Sequence, residues 1–291
     1  MILSSKKFFY SDKNYRRYDT ETIIVNKKII INIIKKAKKY IWIRLGGINY
    51  KNINTDIDIF SKLLPYVKKP LILITGDGDR SVFKDIKKET SLSILKSKKI
   101  VKWFTQNYDG TIKHHKIKNY PIGLDLHTNR GSQLRSCYQI FSYLKKCRNF
   151  DEKRKFKIFC DVHLTQKAKF NNPRALLFKI LKKCNHIYFL KKKTNFKKIV
   201  QYYSKYTFVI SAHGNGLDCH RTWEALYLGA IIITKKSSLD PLYKNLPVIL
   251  VDDWNQLLDL SFLKEKYNEI KVLLNRDYID KFYNQSYWLK N

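Results

Sequence analysis

Short apolar runs recur along the chain, and a helix-like pattern separates each run from the next. The runs that have the character of buried strands occupy residues 40–45, 71–75, 100–104, 156–160, 186–190, 206–211, 230–234 and 248–251. Continuous apolar strands that alternate with helices are typical of parallel sheets covered on both faces. The sequence therefore predicts an α/β protein with parallel sheets.

The strand and helix patterns form two groups, separated by the charged, glycine-free stretch 145–155. We expect an N-terminal Rossmann-like domain over residues 1–150 and a C-terminal Rossmann-like domain over residues 151–262. The aromatic-rich stretch 263–291 is expected to form closing helices that pack back on the body. At 291 residues, each domain is long enough to bury a core without disulfides or metal ions.

The chain is strongly basic, with 58 Lys and Arg against 24 Asp and Glu and a formal charge of +34. Such a surplus favours contact with polyanions, including nucleic acids. Lys is far more frequent than Arg, and Ile, Asn, Tyr and Phe are abundant, which is the composition that AT-rich codons produce. The charge is therefore also consistent with a solvated surface. A hydrophobic content of 44% excludes a disordered polycation.

Cysteine usage and the N-terminus bear on the compartment. The 5 cysteines are widely spaced and form no CxxC pair, which indicates a reducing compartment and no structural zinc. The apolar start is broken by Lys6 and Lys7, too early for a signal-peptide core. No apolar stretch approaches the ~18 residues of a membrane span. We expect a soluble, cytoplasmic protein without a membrane span.

The segment 208–234 carries the clearest chemical signal. It is a buried strand, a Gly-rich loop with HGNG at 213–216, a helix and a second buried strand. In open parallel sheets, ligands bind beyond the carboxyl ends of the strands, where this loop lies. Gly214 and Gly216 allow main-chain N–H groups to approach a bound group closely. The N-terminus of the following helix favours a diphosphate.

Two charged residues on that helix share one face, because Arg221 and Glu224 are three positions apart. A guanidinium near the loop can clamp phosphate oxygens, and a carboxylate one turn later can accept hydrogen bonds from ribose hydroxyls. The alternative is an exposed Arg–Glu pair that forms a weak surface salt bridge.

The run HGNGLDCHRTWEALYLGAIIITKKSSLDPLYKNLPVILVDDW resembles the donor-binding half of GT-B glycosyltransferases, most closely the exostosin-like enzymes. The likeness covers residues 211–254 and follows a GNGxDxxRxWEAL pattern, a Ser-containing loop with DPLY, and LPVxxVDDW. It implies a GT-B fold, in which two Rossmann-like domains have parallel sheets facing a central cleft. It also implies a nucleotide sugar in the C-terminal domain, an acceptor in the N-terminal domain, no metal ion, and no cofactor besides the donor as co-substrate.

The resemblance assigns donor-binding roles to matching positions in the Gly-rich loop and the helix. The residues that would line the diphosphate and sugar are His213, Gly214, Asn215 and Gly216. Arg221 would neutralise the diphosphate, and Glu224 would bind the ribose.

Further candidates lie on neighbouring loops. Ser237, Ser238 and Asp240 would lie near the nucleotide. For Asp240 the alternative is a turn, because Asp before Pro commonly starts one. Arg174, at a helix start, is a candidate second phosphate ligand, and its alternative is a surface helix charge.

A base for the acceptor hydroxyl is sought in the N-terminal domain, since an inverting transfer needs one. Asp77 and Asp79 of TGDGDR follow the strand 71–75 and are the candidates for a catalytic role. The alternative is an acidic turn, because Gly and Asp are common turn residues. His114 and His115 lie in another polar loop, and adjacent His flanked by Lys are more typical of exposed surface.

The expected function is a metal-independent hexosyl- or pentosyltransferase. It would move a sugar from a nucleotide sugar, which we expect to be a UDP-sugar, to a glycan or other hydroxyl acceptor. The alternative is a non-catalytic Rossmann-like protein that binds polyanions or nucleic acid through its Lys-rich surface. Residues 207–261, which include the predicted donor-binding motif, contain four Lys or Arg and six Asp or Glu. The surplus of positive charge therefore lies in the rest of the chain. We therefore do not expect nucleic acid to be the partner.

Overall fold

The computed structural model describes residues 2–4, 27–46, 55–128, 134, 136–151, 153–162, 174–192 and 194–290. These residues form two compact units. The N-terminal unit comprises residues 5–122 and 215–218, and the C-terminal unit comprises residues 1–4, 123–214 and 219–291.

The division differs from the domain bounds that the sequence suggests. Residues 123–150 belong to the C-terminal unit, together with the closing stretch 263–291. Part of the Gly-rich loop, residues 215–218, belongs to the N-terminal unit.

The N-terminal unit contains a four-stranded sheet and helices that pack on it. Its strands are β1 (Tyr40–Arg44), β2 (Leu71–Gly76), β3 (Ile100–Thr105) and β4 (Ile117–Asn119). Its helices are α1 (Lys27–Lys36), α2 (Asp56–Lys62) and α3 (Lys88–Lys96), with a 3₁₀ helix at Leu64–Tyr66. The strands are parallel and lie in the order β1-β2-β3-β4.

Apolar side chains and a capping box fix the first helices against this sheet. Ile43, Leu73 and Trp103 are fully buried in the shared core. At the start of α2, the backbone N–H of Thr55 donates to the Asp58 carboxylate at 2.9 Å, which completes a capping box. The apolar runs of the first half therefore form the strands that the sequence predicts.

The C-terminal unit contains a five-stranded sheet. Its strands are β5 (Lys155–Cys160), β6 (Ile187–Phe189), β7 (Tyr206–Ile210), β8 (Ile231–Lys235) and β9 (Val248–Val251). Its helices are α4 (Cys137–Lys146), α5 (Arg174–Leu181), α6 (Phe196–Lys205), α7 (His220–Tyr227), α8 (Asp240–Tyr243), α9 (Leu260–Ile270), α10 (Arg276–Phe282) and α11 (Gln285–Lys290). Two 3₁₀ helices lie at Trp254–Leu258 and Lys271–Leu273.

The order of the strands creates a switch point in this sheet. All five strands are parallel and lie in the order β6-β5-β7-β8-β9. After β5 the chain moves to one side to form β6 and then crosses to the other side to form β7. The connections therefore leave β5 and β7 in opposite directions, which opens a crevice at the carboxyl ends of these two strands.

The start of the chain is part of the C-terminal unit. The N–H of Leu3 donates to the Tyr283 carbonyl at 2.7 Å, and the N–H of Leu124 donates to the Leu3 carbonyl at 3.2 Å. Gly123, which directly precedes Leu124, has a φ of 71°. A Cβ at this position would lie 2.8 Å from Leu3. Gly123 is therefore needed for both backbone conformation and space.

The prediction of a mixed α/β protein with parallel sheets is confirmed, and both sheets are compatible with Rossmann-like domains. Among the described residues, no helix combines the length and apolar character that crossing a bilayer requires.

Candidate functional site

Arg221 and the start of the Gly-rich loop lie at the switch point of the C-terminal sheet. Asp161 is the first residue after β5, and the loop that precedes α7 begins at Ser211, directly after β7. The Ser211 hydroxyl hydrogen-bonds the Thr222 hydroxyl at 2.8 Å, which ties the start of this loop to the first turns of α7. The loop and helix are thus anchored where ligands bind in doubly wound sheets.

Arg221 forms a buried ion pair across this switch point. Its Nε lies 2.6 Å from Oδ1 of Asp161, and 15% and 8% of the two side chains are exposed. Burial lowers the pKa of the Arg221 guanidinium, but Asp161 and, to a smaller extent, Tyr203 and other neighbours raise it by more in total, so the net shift is upward. Arg221 is therefore a fixed cation.

Tyr203 on α6 completes the arrangement around Asp161. Its hydroxyl donates to Oδ2 of Asp161 at 2.8 Å. Burial raises the pKa of Tyr203 well above its ordinary value, and the Asp161 carboxylate adds to the shift. Tyr203 is therefore a neutral donor, and both oxygens of Asp161 are engaged. Neither residue was among the sequence candidates; the signal for Asp161 was an acidic residue directly after a buried strand.

Glu224 lies on α7 and is only 5% exposed. Burial raises the pKa values of Tyr203 and Tyr283, and the negative charge of Glu224 adds a smaller contribution in the same direction. The alternative of an exposed Arg221–Glu224 surface pair is wrong, because Glu224 is buried and Arg221 pairs with Asp161. Buried charged groups such as Glu224 and Arg221 are found both at functional sites and in structural ion pairs.

His213 is a neutral imidazole within the Gly-rich loop. Burial, followed by the positive charge of Lys235, lowers the pKa of His213 to about 4. At neutral pH its ring therefore has one N–H donor and one acceptor nitrogen. Gly214, which follows, is also buried.

The second half of the loop is held within the N-terminal unit. A Cβ at Gly216 would lie 2.8 Å from Nδ2 of Asn107. The Asn107 side chain accepts from the N–H of Asp218 at 2.8 Å and donates to the Gly78 carbonyl at 3.0 Å. Gly216 therefore packs closely on Asn107; that its main-chain N–H approaches a bound group stays a prediction. Asn215 beside it is exposed.

The loop after β8 satisfies much of its own hydrogen bonding. Oδ1 of Asp240 accepts from the N–H of Ser237 at 2.8 Å, and Oγ of Ser237 accepts from the N–H of Leu239 at 3.1 Å. Burial raises the pKa of Asp240. Asp240 therefore closes a turn, which is the alternative role that the sequence suggested for it. Ser238, two residues before it, is half-buried.

Arg174 begins α5. Only its backbone belongs to the described part of the chain, so the proposed phosphate contact of its side chain lies outside the described residues.

The candidate bases occupy a tightly held turn of the N-terminal unit. Asp77 follows β2, is buried and has a φ of 55°. Its N–H donates to the Gln106 side chain at 3.1 Å, and the Gln106 amide donates to the Gly78 carbonyl at 3.0 Å. Asp79 is half-buried. The carboxamides of Gln106 and Asn107, which follow β3, therefore fix the backbone that presents both carboxylates.

A cavity of about 290 Å³ lies elsewhere in the C-terminal unit, and Arg154, Thr207 and Gly229 are among its lining residues. Thr207 is near the start of β7, and Gly229 precedes β8, so this cavity is at the amino ends of the strands. It contains none of the predicted donor-binding residues. This cavity is therefore not part of the switch point. The buried charges and the strand order, and not a cavity volume, make the switch point the candidate site.

The chain matches no family model and no curated protein. The resemblance of residues 211–254 to exostosin-like glycosyltransferases therefore stays a prediction from the sequence motif.

Proposed function

We propose that the chain is a GT-B glycosyltransferase that uses a nucleoside-diphosphate sugar, and specifically a UDP-sugar, to glycosylate a hydroxyl of a glycan. The observation that carries this proposal is the Arg221–Asp161 pair at the switch point. A fixed cation at this switch point supports the proposal, because nucleotides bind at the switch point of doubly wound sheets.

The geometry of the pair suits phosphate recognition. Among the described residues, Asp161 is the only one to which the Arg221 guanidinium forms an ion pair or hydrogen bond, and it uses Nε. The two Nη nitrogens carry four further N–H groups in a fixed fork, which matches the geometry of phosphate oxygens. Asp161 and Tyr203 thus orient Arg221 before any donor binds.

The chemical role of this cation is to stabilise the leaving nucleoside diphosphate without a metal ion. Negative charge accumulates on the diphosphate as the glycosidic bond to the sugar breaks. A preoriented guanidinium and the N-terminus of α7 offset that charge in a poorly hydrated site. Glu224 is the proposed ribose ligand. Asp77 and Asp79 remain the candidates for the base that removes the proton of the acceptor hydroxyl.

The direct test is a thermal-shift screen against UDP-, GDP-, ADP- and CMP-sugars, followed by hydrolysis assays on any hit. We expect a UDP-sugar to raise the Tm, because a ligand that binds only the folded state stabilises it. The variant Arg221→Lys keeps a cation opposite Asp161 but removes the fork. It should weaken donor binding about 10- to 100-fold, the value of one or two charge-assisted hydrogen bonds.

The matched control is Lys266→Gln, which removes a cation from an exposed pair with Glu269 on α9. Its donor affinity should equal that of the unmodified protein. A loss of affinity in Lys266→Gln, with none in Arg221→Lys, would show that the net charge of the chain, and not the guanidinium fork of Arg221, attracts the nucleotide.

The rival function is polyanion binding through the Lys-rich surface. Retention on heparin that collapses with salt, together with no thermal shift from any nucleotide sugar, would support this rival over the glycosyltransferase.

A further inference from the structure

Three side chains of the C-terminal unit that are not among the predicted donor-binding residues lie close together. Asp125, His127 and His220 each offer one ligand atom, and these atoms all lie within 4.8 Å of one another. Asp125 is 8% exposed and His127 is 19% exposed, so the group is largely shielded but reachable from solvent. Two imidazoles and a carboxylate form a ligand set that binds divalent transition metals.

Local structure fixes the Asp125 part of this group. Oδ1 of Asp125 accepts from the backbone N–H groups of His127 and Thr128, at 3.2 and 2.9 Å. Nδ1 of His127 is 3.1 Å from Oδ1 of Asp125. This is the length of a His–carboxylate hydrogen bond, and it is also close to the about 3.3 Å that separates two ligands of one tetrahedral zinc ion, so a metal ion can take the place of the shared proton.

A separate hydrogen bond orients His220, the first residue of α7. Its Nδ1 lies 2.8 Å from the Gly123 carbonyl oxygen. A carbonyl can only accept, so Nδ1 carries the proton and Nε2 has the free lone pair. A backbone carbonyl that fixes the tautomer in this way is the usual outer-shell support of a metal-binding His. The ring centroids of His220 and His127 are 5.7 Å apart.

We propose that Asp125, His127 and His220 bind one divalent transition-metal ion of the Zn²⁺ class, with a remaining position open to water. The ion would join the segment after Gly123 to the first turn of α7. The proposal does not depend on the glycosyltransferase assignment, because it concerns the affinity for a metal and not for a nucleotide.

The test uses the untagged full chain, freed of metal with a chelator, and Co²⁺ as a spectroscopic probe of a zinc site. We expect one Co²⁺ per chain with the visible absorption of a nitrogen- and oxygen-ligated ion, displaced by Zn²⁺. Zn²⁺ alone should raise the Tm. The variants His127→Gln and His220→Gln should each weaken binding by at least about 10-fold, the smallest cost of losing even an outer-shell partner.

Asp125→Asn separates metal binding from folding. The carboxamide oxygen still accepts from the N–H groups of His127 and Thr128, so the metal-free variant should unfold close to the unmodified protein. Its Co²⁺ affinity should nevertheless fall by at least about 10-fold, because the charged ligand is gone.

The matched control is the double variant His114→Gln/His115→Gln, at the adjacent, stacked pair in the N-terminal unit. It removes two neighbouring imidazoles and should retain Co²⁺ binding. Two results would overturn the proposal: Co²⁺ binding lost only in this control, or a thiolate charge-transfer absorption that assigns the ion to the free cysteines. Absence of any Co²⁺ or Zn²⁺ binding would overturn it as well.

Discussion

Nε of Arg221 lies 2.6 Å from Oδ1 of Asp161, and only 15% and 8% of the two side chains are exposed. A buried pair costs a great deal to break from one side, because the remaining charge is left without compensation. The pair therefore stabilises the C-terminal unit. It also orients Arg221, the residue that we propose binds phosphate.

The variant Asp161→Asn tests the structural part of this role. The carboxamide keeps the shape and an acceptor for the Tyr203 hydroxyl but leaves the Arg221 cation uncompensated. We expect the free energy of unfolding, measured by urea titration, to fall by about 3–5 kcal/mol.

The control is Asp252→Asn, which breaks the Lys236–Asp252 pair at 2.8 Å, whose side chains are 52% and 68% exposed. An exposed pair of the same kind contributes less than about 1 kcal/mol. If both variants lost the same stability, burial would not be what gives the Arg221 pair its strength.

The position of Arg221 on a helix after the Gly-rich loop could be predicted from the sequence, but its partner Asp161 could not. Its loop, helix and strand order along the chain are local patterns, and α7 and β7 lie where these patterns predict them. Two helices and two strands, α5, β6, α6 and β7, separate Asp161 from α7 and Arg221 along the chain. The contact between Asp161 and Arg221 depends on β5 lying beside β7, and this adjacency is decided by the packing of the whole sheet.

Gly216 shows a different limit. A glycine in a loop before a helix indicates a need for space, and the sequence could not show which group fills that space. In the structure it is the Asn107 amide, from a loop far away in the chain. The roles of Gln106 and Asn107 could not be predicted either. Both side-chain amides donate to the Gly78 carbonyl, and no pattern in the sequence indicates these contacts.

The variant Gly216→Ala tests this close approach. Its Cβ would lie 2.8 Å from Nδ2 and 3.1 Å from Oδ1 of Asn107. The amide cannot move freely, because it donates to the Gly78 carbonyl and accepts from the Asp218 N–H. We expect a loss of about 1–3 kcal/mol in urea unfolding, as for overpacked cores.

Two further variants separate this contact from a general intolerance of alanine. Gly76→Ala places a Cβ 3.4 Å from the Gln106 side chain, an ordinary contact, and should leave stability unchanged or raise it by up to about 1 kcal/mol. In the Asn107→Ala background, Gly216→Ala should cost less than it does alone. Equal costs in both backgrounds would show that Asn107 does not constrain Gly216.

His213 predicts a specific dependence of stability on pH. Burial and Lys235 lower its pKa to about 4 in the folded protein, against about 6.5 in the unfolded chain. Between these values the unfolded chain binds the extra proton, so the free energy of unfolding falls as the pH falls. Between pH 7 and pH 4.5 this group alone should remove about 2–3 kcal/mol.

The measurement is the urea stability of the unmodified protein and of His213→Gln at both pH values. The variant lacks the titrating group, so its stability should fall by about 2–3 kcal/mol less over this range. His115→Gln, at an exposed histidine, is the control for loss of an imidazole. Parallel pH profiles for all three proteins would contradict the assignment of a buried, neutral His213.

Arg154 donates to backbone carbonyls at the ends of two helices. Its Nε bonds the Tyr206 carbonyl at 3.0 Å, and Nη1 bonds the carbonyls of Asn149 and Leu228 at 2.7 and 3.1 Å. Its Nη2 donates to the carbonyl of Tyr203. Tyr203 and Leu228 lie at the carboxyl ends of α6 and α7, where a cation also offsets the helix dipoles.

The variant Arg154→Lys keeps the charge but has three donors on one nitrogen, which cannot reach carbonyls spread around a planar fork. Several buried carbonyls would lose their partner, so we expect urea unfolding to show a loss of about 2–4 kcal/mol. Arg276→Lys makes the same exchange at an exposed position and should change stability by no more than about 0.5 kcal/mol. A similar small effect at both positions would mean that a lysine ammonium can replace the guanidinium network of Arg154, and that charge alone holds these helix ends.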